Sequence, residues 1–401
     1  MRILLSGLSG SLAHASRVVA LGRALAERGH EVHLAGGPGF LDDPILVSSD
    51  EFMRHRVAEP SLAQIIGQGQ GPGWFDRALA DDRALLERVA PDLVVFDNRR
   101  TAGLAARLAG VRTLSLTNAP LLGPHLGWSP SVESFLGLLG PVLGLDPERL
   151  RQNPSLAGRA PHEPVPLQQA LVPPALRAGL ERAGLPVPPA LHHLSLGDVT
   201  AVCDHPALHP LQDPPPGVEP VGPVLPCLRV GLPRWWDTLS PDRPVVLVSF
   251  GSTGTLTARD AVLQALCALD VQVLATGLAP DQAPSGVRAA SWLPGAEAAA
   301  RADLVVCHGG SGTIYQALAA GTPVVCLPGH LEQALNSLAA ARVGVGVTVA
   351  ARVAVGAPDE LSAMLARALD NQTLQERAQA LSAQLDPAAA VDRCVALGLG
   401  C

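Results

Sequence analysis

Short apolar runs alternate with amphipathic stretches near both ends of this chain, and a Pro- and Gly-rich middle separates the two regions. No other feature limits the choice of fold so strongly. In the first region, residues 3–5, 31–35, 92–96 and 112–116 read as strands. Between the first two strands, apolar residues at 18, 19, 21, 25 and 26 have helical spacing, and Gly29 supplies the stop. Residues 100–109 predict a second helix. Past Arg243 the pattern resumes, with strands at 245–250, 271–275, 304–307 and 324–327. Helices are expected there at 258–269, 313–320, 331–341, 358–370, 372–384 and 387–397. Strands that are apolar on both faces need helices on both sides of a parallel sheet. The expected class is therefore α/β, with two Rossmann-like, doubly wound parallel-sheet domains.

The middle is different. Only 167–182 has helical character, and Asp213-Pro-Pro-Pro216 cannot be regular structure. The boundaries that follow are a first domain over 1–215, a linker over 216–240, a second domain over 241–384, and a terminal helix within 385–401 that can pack back on the first domain. At 401 residues, 48% hydrophobic and 16% charged, the chain can fill two cores.

Composition excludes several functions. The net charge is -7 and there is no lysine, so there is no basic footprint for nucleic acid. A Schiff-base or phosphate-loop lysine is excluded as well. Seven scattered cysteines without a Cys-x-x-Cys pair read as reduced thiols, which predicts neither a disulfide framework nor a metal site. No apolar run reaches the ~18 residues of a membrane span. Met1-Arg-Ile-Leu-Leu reads as a strand rather than a signal peptide, so a cytoplasmic location is expected. The leucines of 121–143 lack the basic cluster that would support contact with a membrane surface.

The densest chemical signal is His308-Gly-Gly-Ser-Gly-Thr313, between a strand and an amphipathic helix. Such a turn leaves backbone N–H groups free at a helix N-terminus, where a phosphate or diphosphate is stabilised. Ser311 and Thr313 add hydroxyls. The alternative is a tight turn with no ligand. Val248-Ser-Phe-Gly-Ser-Thr253 is a second strand-to-turn motif, which could be a plain β-turn.

Trp292-Leu-Pro294 precedes the Gly-rich loop, and Gly321-Thr-Pro-Val-Val-Cys-Leu-Pro328, Glu332-Gln333 and Asn336 follow it. In this order and spacing the segment resembles the UDP- and dTDP-sugar-dependent glycosyltransferases of family 1, especially the bacterial macrolide and natural-product branch. The resemblance implies a GT-B fold and an inverting sugar transfer that uses a nucleotide sugar as substrate, without a cofactor or metal. By the same resemblance, Trp292 and Leu293 would border the nucleobase, with Trp292 stacking on it. His308, Gly310, Ser311, Gly312 and Thr313 would hold the diphosphate, and Gly251, Ser252 and Thr253 would reach it from the other side. Glu332 and Gln333 would bind sugar hydroxyls. Taken alone, Trp292 could be a core residue and Glu332-Gln333 a solvated helix start. Two positions depart from the family. Gln316 stands where a Glu usually binds the ribose, and Gly295 stands where many members have a Gln beside the base. Tyr315, the only tyrosine, is expected to pack within its helix.

His14 follows the first strand at the carboxyl edge of the sheet, where α/β active sites form. The family register places it on the catalytic His, although the usual Gly-His-x-x-Pro context is missing. Asp97, at the end of Pro91-Asp-Leu-Val-Val-Phe-Asp97, matches the family's partner Asp; the alternative is a cap for the helix near Arg100. An acceptor would lie under 120–190, where Leu121, Leu122, Leu126, Trp128, Phe135, Leu136, Leu138 and Leu139 suggest a small lipophilic molecule, unless they only pack the domain. The remaining readings are a nucleotide-sugar epimerase, a membrane-associated glycolipid transferase and a non-catalytic nucleotide-sugar-binding auxiliary subunit.

Overall fold

The computed structural model describes residues 1–400 apart from 9–10, 49, 58–72, 143–145, 153–155, 157, 166, 168–170, 227, 252–253 and 351–355. The described residues form two all-parallel sheets. The first contains β1 (Arg2–Gly7), β2 (Glu31–Gly36), β3 (Met53–Arg56), β4 (Leu93–Asp97), β5 (Arg112–Thr117), β6 (Val199–Val202) and β7 (Val218–Pro220), in the order β3-β2-β1-β4-β5-β6-β7. The second contains β8 (Val245–Ser249), β9 (Gln272–Thr276), β10 (Val287–Ala290), β11 (Leu304–Cys307), β12 (Val324–Cys326) and β13 (Gly346–Thr348), in the order β10-β9-β8-β11-β12-β13.

The longer helices are α1 (Leu12–Glu27), α2 (Trp74–Val89), α3 (Arg100–Leu108), α4 (Pro174–Arg182), α5 (Leu256–Cys267), α6 (Gly295–Arg301), α7 (Ser311–Ala319), α8 (Leu331–Arg342), α9 (Pro358–Leu369), α10 (Gln372–Ser382) and α11 (Pro387–Leu399). The alternation of side chains along each strand decides which helix covers which face. Ile3 and Leu5 of β1 pack with Val18, Val19 and Leu21 of α1, while Leu4 packs with Ala105 and Ala106 of α3 on the opposite face. In the second sheet, Val246 and Val248 meet α5, and Val245 and Leu247 meet α7. Each of these fully buried aliphatic side chains contributes roughly 1.5–3 kcal/mol.

One expected boundary shifts. β7 lies inside the segment read as linker and pairs with β6, so the first sheet continues past residue 215. The terminal helix α11 joins the first core through Ala390, Cys394 and Val395. The strands at 53–56, 199–202, 287–290 and 346–348 escaped the sequence reading because they are three or four residues long and show no run of alternation. No described helix is long and apolar enough to cross a membrane.

Gly103 of α3 lies flat on the Phe96 ring, and an added Cβ would come within 2.5 Å of it. Phe96 is fully buried and next to Asp97, so it has no room to yield. Gly103→Val should lower stability by more than about 2 kcal/mol. A thermal melt within a degree of the parent would contradict this packing.

Candidate active site

Both sheets place their functional residues at the same topological position. β1 and β4 are neighbours, with Gly7 paired to Asp97, and their outgoing helices α1 and α3 lie on opposite faces. β8 and β11 repeat this, with Ser249 paired to Cys307 and the helices α5 and α7 diverging. Such switch points open a crevice at the carboxyl ends of the strands. The two crevices face each other and share one cleft of about 460 Å³. It is lined from one side by Ser11, Leu12, Ala13, His14 and Asn98, and from the other by Gly251, Trp292, Leu293, His308, Gly310–Thr313, Gln316, Glu332 and Gln333. Ser252 and Thr253 lie outside the described residues.

His14 sits in the first turn of α1, and its Nδ1 is 2.6 Å from Asp97 Oδ1. A carboxylate only accepts, so the neutral tautomer that suits this contact has its hydrogen on Nδ1 and its lone pair on Nε2; Arg17 Nη2 also lies 2.9 Å from Nδ1. Asp97 is fully buried and does not cap α3, whose N-cap is Arg99. Burial pushes the Asp97 carboxyl up, but Arg17 and His14 outweigh this and hold it below the usual carboxylate range. Arg17 donates to Asp97 through Nε at 2.7 Å and Nη2 at 2.9 Å. Asn98 has a left-handed backbone (φ 54) and brings Nδ2 to 3.4 Å from His14 Nε2. Its buried Oδ1 has no hydrogen-bond partner.

Across the cleft, α7 begins at Gly310 with no side-chain cap and no acidic residue in its first turn. Its free N–H groups therefore face the cleft unopposed, and α1 likewise starts uncapped at Ser11. His308 is wedged between two glycines. A Cβ at Gly251 would come within 2.8 Å of the imidazole, and one at Gly310 within 2.5 Å. Burial pushes the His308 imidazole down to about 4, so it stays neutral as part of the loop. Trp292 is 37% exposed over the cleft, so it is a wall residue rather than a core residue. Gln333 is not solvated either; it is 2% exposed, and its Oε1 accepts the Gly329 N–H at 2.9 Å. Asn336 donates to the Gly309 carbonyl and accepts from His209 Nε2 of the first half at 3.0 Å.

The apolar residues of 121–139 are not among the described cleft residues. Leu122 and Leu126 pack on Val202 and Val218, while Leu138 and Leu139 pack on Ala334 and Leu335 of α8. They join and fill the two halves. The apolar groups that do line the first side of the cleft are Leu12, Ala13, Pro226 and Leu228. Sequence reasoning missed Arg17, Asn98, Asn118, Asp204 and His330. The only signal for Arg17 was a charge on the apolar face of α1, three residues after His14.

The comparisons with known proteins bear on the fold and the family. Residues 260–397 match the family described as erythromycin biosynthesis protein CIII-like, C-terminal domain. A PGL/p-HBAD biosynthesis glycosyltransferase of Mycobacterium tuberculosis (strain ATCC 25177 / H37Ra) is 33% identical over 362 residues, covering 86% of this chain and 80% of that one. Among solved structures, spinosyn forosaminyltransferase SpnP superposes with a TM-score of 0.67 at 23% identity, covering 100% of this chain and 99% of that one. Glycosyltransferase VinC in complex with dTDP gives 0.66 at 20% identity, with both chains fully covered at 100%. A cleft between two Rossmann-like halves, with an imidazole on one wall and a bare helix N-terminus on the other, defines the GT-B class. By its 33% identity over most of both chains, this chain belongs to the family of the mycobacterial glycosyltransferase and is itself a glycosyltransferase.

Two outcomes are expected. Gly251→Ala adds a Cβ against His308 at a residue with φ +55, so it should weaken nucleoside diphosphate binding about tenfold or more, measured by calorimetry. Unchanged affinity would show that the loop does not depend on this packing. The second concerns acid stability. The His308 pKa is lower folded than unfolded, so below pH ~6.5 the unfolded chain takes up a proton that the folded one refuses. The loss accumulates as pH falls from about 6.5 to about 4 and reaches roughly 3 kcal/mol from this group. A melting temperature that stays flat across that window would contradict it.

Proposed function

We propose that the enzyme is an inverting, metal-independent glycosyltransferase that moves a sugar from a UDP- or dTDP-sugar to a hydroxyl of a small lipophilic acceptor. One observation carries the reading: the His14–Asp97 pair and the uncapped start of α7 face each other across a single cleft. His14 Nε2 takes the acceptor proton. The freed oxygen attacks the anomeric carbon as the bond to the diphosphate breaks, and the leaving group keeps the electron pair. Asp97 fixes the tautomer and stabilises the imidazolium. The negative charge that develops on the diphosphate is met by the backbone N–H groups of 310–313 and the hydroxyls of Ser311 and Thr313, with Gly251 opposite. Two helix N-termini at the cleft supply the stabilisation a metal would otherwise provide.

Trp292 offers a ring for the nucleobase, and Leu293 lines the same cleft. Glu332 and Gln333 are placed for the sugar hydroxyls. Gln316 faces Gly295, where a Cβ would come within 2.6 Å of its amide. The dTDP in the VinC structure supports a thymidine or uridine diphosphate donor. PGL/p-HBAD biosynthesis by the mycobacterial relative supports a lipophilic acceptor. That relative and the solved structures are named as transferases, which favours transfer over epimerisation or an auxiliary role.

His14→Ala should lower the transfer rate about 10²- to 10⁴-fold while leaving nucleoside diphosphate affinity within a factor of about two. Equal loss of both would reject the assignment of His14 as base.

A further inference from the structure

Behind His14 and Asp97 lie four polar side chains that the transfer step does not itself use: Arg17, Asn118, Asp204 and Tyr315. All four are at most 3% exposed. Two carboxylates and a guanidinium packed into a core cost solvation that apolar residues of the same size would not, so packing alone does not explain them. Arg17, Asn118 and Asp204 form one chain of hydrogen bonds with Asp97, and Tyr315 joins it at the backbone of the next residue, His205. Arg17 grips both oxygens of Asp97 and donates through Nη1 to Asn118 Oδ1 at 2.7 Å. Asn118 Nδ2 donates to the Asp204 carboxylate at 3.1 and 3.2 Å, and the Ala119 N–H adds a bond of 2.6 Å. The Tyr315 hydroxyl accepts the N–H of His205, the residue after Asp204, at 2.8 Å.

Tyr315 belongs to α7, the helix whose first turn faces the cleft from the second half. The other members belong to the first half. The chain therefore runs from the base in one half to the diphosphate helix in the other without leaving the protein interior. Its charges matter as well. Asp97 and Asp204 against Arg17 leave one net negative charge, which becomes zero when His14 takes up a proton. A cluster that is neutral only in the protonated state stabilises the imidazolium as the acceptor oxygen attacks.

We infer that Arg17, Asn118 and Asp204 are positioning residues that complete the His14–Asp97 pair, and that Tyr315 of the donor-binding half holds them in register, so that the base is aligned only when the two halves are docked. This rests on His14 being the base, and the test separates the two ideas.

Tyr315→Phe and Asp204→Asn nearly conserve volume, and neither residue lines the main cleft, so both variants should still bind nucleotide. The full-length variants are assayed for kcat, for KM of donor and acceptor, and for nucleoside diphosphate affinity, with rates normalised to titrated nucleotide sites. Each kcat should fall about tenfold, with both KM values and nucleotide affinity within about twofold. The double variant should fall no further than the worse single one, because both act through the same chain. Three results would overturn the inference: an unchanged kcat in both variants, a loss confined to KM or nucleotide affinity, or losses that simply multiply. If His14→Ala retains transfer, the base assignment itself fails. If His14→Ala is inactive while both relay variants match the parent, only the relay is rejected.

Discussion

Two parallel strands can be neighbours in a sheet while the helices that follow them pass to opposite faces. The gap between those helices then cannot be closed by the backbone, and it opens at the carboxyl ends of the strands. β1 and β4 create such a gap, and β8 and β11 create another. Once the two halves are docked edge to edge, the gaps face each other and one cleft results. Everything chemical in the molecule sits on its rim. The proposed base, His14, is in the first turn after β1, its partner Asp97 is the last residue of β4, and the proposed anion-binding turn joins β11 to α7.

Docking brings its own demands. Groups at the meeting edges are removed from water and must find partners in the protein. His209 bridges to Asn336, which in turn fixes the Gly309 carbonyl of the Gly-rich loop. Arg342 of α8 donates to the carbonyls of Ala207 and Leu208 and lies over the Trp128 ring. Leu138 and Leu139 belong to the same set of contacts, while Leu122 and Leu126 fill the first half. Their apolar character, which suggests an acceptor surface when read in sequence, serves packing within and between the halves. A buried interface and a ligand pocket call for the same residues, and only the fold tells them apart.

What the sequence made legible follows from the range of the interactions. The strands that are apolar throughout and the helices with a clear apolar stripe could be read because their signal is local and repeats within ten residues. His14 and Asp97 could be placed because each ends or follows a readable strand. Asp204 follows β6, a four-residue strand that no pattern announced, and it meets Asn118 only because β5 and β6 are adjacent. Arg17 stands where the family's motif has a proline. Its value depends on a carboxylate 80 positions away and an amide 101 positions away. Such polar chains have no period, so nothing short of the assembled sheet could reveal them.

The two departures in the second half, read one at a time, each remove a polar contact that the family resemblance implies. The structure shows that they are coupled. With glycine at 295, no Cβ occupies the space in which the Gln316 amide now lies, and any larger residue there would have to displace that amide. Gln316 thus lines this wall of the cleft in the space that glycine leaves open. His308 follows the same logic, since its buried imidazole is the volume around which Gly251 and Gly310 fold. In both places the missing Cβ matters as much as the side chain that is present, because it decides how closely two turns from different strands can approach one ligand.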